Sequence, residues 1–75
     1  MKEIKILLSS INDVKKFVNL VSKYDFDVDL VSDRYVVDAK SIMGIFSLDL
    51  SKEIKVQIHS DDCAEFISEL KPFEA

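Results

Sequence analysis

The chain is short of the residues that cross-link, break or metallate a fold: one cysteine, one histidine, one glycine and one proline in 75 residues. Cys63 alone can form no internal disulfide, and with His59 it falls short of the four ligands of a structural zinc site, so no metal is expected. Both facts suit a reducing cytoplasm. No repeat, low-complexity tract or linker rich in glycine, proline or serine interrupts the chain, and Pro72 stands near the end, so residues 1–75 read as one domain. No apolar run reaches the roughly 18 residues that a membrane span needs. The first eight residues mix charge with apolar side chains and show no small-residue cleavage site, which argues against a signal peptide. Basic residues are outnumbered 14 to 10, a net charge of −4 that disfavours nucleic acid or an anionic membrane and leaves proteins as partners.

What is present is an ordinary globular composition, 48% hydrophobic and 32% charged. A chain this short buries only about 60 to 65% of its unfolded surface, so the core is thin. Ile4, Ile6 and Leu8 alternate with Glu3, Lys5 and Leu7 as a first strand. Ser10 then reads as an N-cap with Asp13 three residues on, a variant of the capping box. Ile11, Val14, Phe17, Val18 and Val21 follow at helical spacing, with Asn12, Lys15, Lys16, Asn19 and Lys23 on the other side. Phe26, Val28 and Leu30 alternate with three aspartates as a second strand. Ser32-Asp33 turns the chain into a third strand at Tyr35-Val36-Val37. Ile54, Val56 and Ile58 form a fourth strand, and Ser60-Asp61-Asp62 is expected to cap a last helix carrying Cys63, Phe66, Ile67 and Leu70, which Pro72 ends. Strands apolar on one side only predict an antiparallel sheet covered by helices on one face, with Lys5, Asp27, Asp29, Lys55, Gln57 and His59 on a wet second face.

The densest stretch is Asp38–Leu48, which holds the single glycine and packs Ile42, Met43, Ile45, Phe46 and Leu48 behind Ser41. A helix of two or three turns capped by Ser41 cannot bury all five. Ile45 and Leu48 are expected to face the sheet, leaving Ile42, Met43 and Phe46 as an outward stripe fit for a protein partner. Gly44 inside such a helix costs about 1 kcal/mol relative to alanine, which points to close approach by a neighbour.

Lys40-Ser41-Ile42-Met43-Gly44-Ile45-Phe46-Ser47-Leu48 resembles the second helix of the HPr family, the histidine-containing phosphocarriers of the bacterial phosphotransferase system. The likeness continues through Ser22–Asp25, Asp27–Leu30 and Val36–Lys40. It implies an α+β fold, an open-faced β-sandwich of order β-α-β-β-α-β-α. Its four-stranded antiparallel sheet, strand order 1-4-2-3, would lie under three helices on one face. It also implies a carrier or regulator, not an enzyme, with no cofactor. In the family a histidine before the first helix accepts phosphate and a nearby arginine holds it. Counted back from Leu30, those positions are Ser10 and Asn12, and the following proline is Asp13. The resemblance therefore departs where the chemistry lies, because an imidazole nucleophile and a balancing cation are both missing.

Ser41 matches the serine that a dedicated kinase phosphorylates in many Gram-positive HPr proteins, and it is the regulatory candidate. The chain is similar to the catabolite-repression HPr proteins, which lack the active histidine, although it lacks their arginine too. The resulting expectation is a cytoplasmic regulatory or protein-binding module of sugar-transport regulation, acting through Ile42, Met43 and Phe46. Its expected partners are phosphotransferase-system components, an HPr kinase or a transcription regulator, and it would be a monomer or weak homodimer. The alternatives are a phosphocarrier using His59 or Ser10, and a structural or oligomeric role. Cys63, at an apolar helical position, is expected in the core.

Overall fold

The computed structural model describes residues 2–75. Four strands, β1 (Lys2–Ile6), β2 (Val28–Ser32), β3 (Tyr35–Asp38) and β4 (Ile54–Ile58), form one antiparallel sheet in the order β1-β4-β2-β3. Helices α1 (Ile11–Val21), α2 (Ile42–Phe46) and α3 (Ala64–Glu69) accompany it, and a 3-10 turn, Lys71–Phe73, closes the chain. The alternation in β2 and β4 sends Val28, Leu30, Ile54, Val56 and Ile58 into the core with Phe17, Phe66 and Leu70. Lys5, Lys55, Gln57 and Asp29 stay on the open face, where the register lines up Glu3, Gln57, Asp29 and Asp38 across all four strands.

Several boundaries differ from expectation. The first strand stops at Ile6, although Leu8 is still fully buried. Phe26 lies before β2 instead of in it, packed into an aromatic cluster with Tyr24 and Phe66. In α1 the buried stripe is Val14, Phe17, Leu20 and Val21; Val18 is half-buried, and Ile11, the first residue of the helix, is exposed. The cap of α3 is Cys63, without a side-chain bond, and not the Ser60–Asp62 segment; the thiol is buried and donates weakly to Ser60 O at 3.5 Å.

The largest difference is α2, five residues in place of two or three turns. Its last turn tightens, with Ser47 N–H donating to Gly44 O at 3.1 Å and Leu48 N–H to Ile45 O at 3.0 Å. Asp49 then accepts from both the N–H and the hydroxyl of Ser51. That local loop competes with continued helix. The same loop bonds hold the Asp49 carboxyl below its ordinary range.

Candidate functional site

Two helices begin on serine caps. Ser10 has extended backbone, φ −146° and ψ 165°, and its hydroxyl accepts from Asp13 N–H at 3.1 Å. Asp13 reaches back the other way, its Oδ2 accepting from the Ser9 hydroxyl at 2.9 Å and from Ser9 N–H at 3.3 Å. These bonds, the Ser9 hydroxyl first, hold the Asp13 carboxyl below the usual carboxylate range. A carboxylate thus sits against the first turn of an eleven-residue helix, where the backbone favours negative charge. The capping box anticipated from Ser10 and Asp13 forms, but its return bond goes to Ser9, one residue earlier. Nothing in the spacing announced Ser9. Asn12 is exposed in the same turn.

The second cap is Ser41, with φ −98° and ψ 103°, its hydroxyl accepting from Gly44 N–H at 3.2 Å and its own N–H donating to Asp38 O at 3.0 Å. Lys40, beside it, is committed elsewhere, its Nζ donating to Tyr24 O at 3.0 Å. A Cβ on Gly44 would lie 3.2 Å from Ser41 Oγ and 3.3 Å from Val37 Cβ, so the glycine lets α2 approach β3. Ile45 and Leu48 are buried; Met43 is 78% and Phe46 41% exposed. Ile42 is half-buried and packs against the core, which narrows the outward stripe to Met43 and Phe46 with one flank of Ile42. α1 packs against α2.

His59 follows β4 on the open face. Its Nε2 lies 2.9 Å from Asp29 Oδ2, and its N–H donates to Asp27 O at 2.9 Å. Together with Asp27, Val28 and Asp38 the pair lines a shallow depression of about 390 Å³. The structure does not bring His59 to either serine cap: β4 carries it on the face opposite the helices. Among the described residues no group of three or more histidine, cysteine or carboxylate side chains is arranged to hold a metal ion, and no helix is long and apolar enough to cross a membrane.

The architecture defines the class first: an α+β open-faced sandwich with sheet order β1-β4-β2-β3 and serine-capped helices at α1 and α2. The family model described as the PTS HPr component phosphorylation site matches residues 12–73, and the chain belongs to the HPr family, the phosphocarrier family of the phosphotransferase system. The crystal structure of HPr-C-His from Thermoanaerobacter tengcongensis is 34% identical, with a TM-score of 0.79 over 93% of this chain and 86% of that one. The phosphocarrier protein HPr from Bacillus anthracis str. Ames shares the fold, with a TM-score of 0.75 at 23% identity over 99% of this chain and 96% of that one. Family members carry phosphate between proteins of that system and are not classical enzymes, so the class of partner is protein.

Proposed function

We propose that this HPr-family protein has lost histidine phosphotransfer and works as a regulatory, protein-binding module. The observation that carries this reading is Asp13. Its carboxylate, fixed by Ser9, occupies the helix terminus that a phosphoryl group would need, and Ser10 and Asn12 stand where the family likeness puts the accepting histidine and its arginine. An incoming phosphate would meet the Asp13 carboxylate, whose neighbouring cation is Lys16, and no arginine at the family position. His59 is no substitute: the Asp29 carboxylate engages its Nε2, and Asp27 and Asp38 line the same depression, so a phosphorylated ring would sit against a carboxylate in an acidic setting.

The binding surface in this reading is Met43 and Phe46 with the exposed flank of Ile42, an apolar patch on a small protein. Ser41 at its edge is the switch. A phosphate there adds about −1.5 to −2 charges beside the first-turn N–H groups of Ile42 and Met43, which have no partner within the helix. A helix of five residues has only a small dipole, so these N–H groups and not the dipole supply the attraction. Phosphotransferase-system proteins, an HPr kinase or a transcription regulator of the cytoplasm are the partners this patch would meet.

The test is incubation with phosphoenolpyruvate and the general phosphotransferase enzyme, with authentic HPr as control. The expected result is no phosphate on this chain, whereas acid-labile phosphate on His59 or a phosphoester on Ser10 overturns the reading. In a parallel tube HPr kinase and ATP are expected to modify Ser41; failure there, with HPr modified alongside, removes the switch and leaves the loss of phosphotransfer to stand on the first assay.

A further inference from the structure

The two edges of the sheet are finished differently. Along β1, Leu7 N–H donates to Phe73 O at 2.8 Å, Ala75 N–H donates to Lys5 O at 3.2 Å and Ile6 bridges Glu74, so the end of the chain covers that edge. On the other side β3 pairs with β2 alone, and among the described residues no further strand or bridge pairs along its outer side.

The hydrogen-bond alternation shows which groups face outward there. Ala39 N–H donates to Val28 O at 2.9 Å, and Val37 pairs with Leu30, so residues 35, 37 and 39 bond to β2. The backbone groups of Val36 and the N–H of Asp38 therefore point away from the sheet. Tyr35 and Val36 are exposed, and neither a proline nor an inward charge blunts the strand. Such an edge is a template for another strand.

The sequence specifies which strand. Arg34-Tyr35-Val36-Val37-Asp38 reads basic, three apolar, acidic. When a second copy runs antiparallel with Val36 opposite Val36, Arg34 of each chain meets Asp38 of the other, and two-fold symmetry forms that pair twice. In that register Val36, whose N–H and carbonyl both face outward, opposes itself, while Arg34 stands in the turn just before β3 and the Asp38 carbonyl is already taken by Ser41 N–H. A one-residue slip sets outward groups against groups already bonded to β2. Arg34, the single arginine of the chain, makes no ion pair among the described residues. Asp38 stands cross-strand from Asp29, a like charge that an opposing guanidinium would offset.

We propose that β3 pairs with β3 of a second copy of this chain, joining two four-stranded sheets into one. Four residues of strand make a small interface, so the association is weak and concentration-dependent.

Sedimentation equilibrium between about 10 µM and 1 mM tests it, the range in which interfaces of this size are populated. The mass is expected to rise toward a dimer. Arg34→Glu and Asp38→Arg are each expected to weaken association about tenfold, since both symmetric pairs become like-charged. Mixing the two variants is expected to restore it, because each chain then opposes unlike charges at both pairs. Asp38 also accepts from Lys40 N–H at 2.9 Å, so Val36→Lys, folded by circular dichroism, provides a variant that spares this turn and is expected to be monomeric. A wild-type monomer at 1 mM, a dimer that survives Val36→Lys, or one abolished instead by Met43→Asp overturns the proposal.

Discussion

Gly44 gains its place through two distances. A Cβ there would meet Ser41 Oγ at 3.2 Å and Val37 Cβ at 3.3 Å, and the second neighbour is anchored in a strand and cannot swing away. Alanine would recover about 1 kcal/mol of helix propensity, but overpacking of a tight site costs about 1 to 3 kcal/mol. Gly44→Ala is therefore expected to lower stability by about 1 kcal/mol in urea unfolding, and a stabilised variant would mean that β3 yields freely. Asp13 illustrates a second kind of constraint. It is tied to its neighbours by bonds that a single residue earlier or later would not make, so the charge at the start of α1 is fixed in position as well as in sign.

At the level of elements, the contact between the turn after α1 and the end of α3 responds to pH. The Tyr24 hydroxyl donates to Glu69 Oε1 at 2.6 Å, and Lys23 Nζ lies 3.0 Å from Glu69 Oε2. The Glu69 bond, ahead of burial and nearby carboxylates, pushes Tyr24 up to about 12, while the Tyr24 and Lys23 bonds hold Glu69 below its ordinary range. The folded protein binds the tyrosine proton more tightly than the unfolded chain does. That contribution is whole below the ordinary value of 10.0 and is lost as pH rises toward about 12. Glu69 behaves oppositely, its contribution present above 4.5 and lost as pH falls through the lowered folded value. Tyr24→Phe is expected to flatten the alkaline decline between pH 10 and 12, measured as urea midpoints relative to the parent protein. Equal alkaline slopes would show that the bond does not contribute.

The elements were legible where one periodicity dominated. β2 and β4 alternate cleanly, and the inward positions Ile45 and Leu48 followed from spacing behind the Ser41 cap. Misreadings fell at element ends. Ile11 fits the helical repeat yet is exposed at the first position of α1, and Cys63 fits the repeat of α3 yet precedes its first turn. The short α2 was hidden because its stop comes from side-chain bonds of Ser47 and Asp49, polar residues whose local competition with helix leaves no mark on hydrophobic spacing. Of the candidate site, both caps were readable from sequence. The Ser9 bond to Asp13 and the engagement of His59 with Asp29 depend on rotamers and strand register, which the pattern of apolar residues does not encode.

For the whole molecule, strand order has a consequence for how the fold is made. β4 lies between β1 and β2, touching both, although it is the last strand in the chain. Until Ile54–Ile58 is available, β1 has no partner in the sheet and the β2-β3 hairpin stands alone, a marginal structure in water. A fragment ending at residue 53 is accordingly expected to show no cooperative thermal transition by circular dichroism, and a sigmoidal one would mean that the first three strands find another arrangement. On a ribosome, a chain whose central strand is made last must wait for residues 54–58 to clear the exit tunnel before its two halves can be joined, so folding is a late, single event and the hydrophobic faces of α1 and the hairpin pass most of synthesis uncovered.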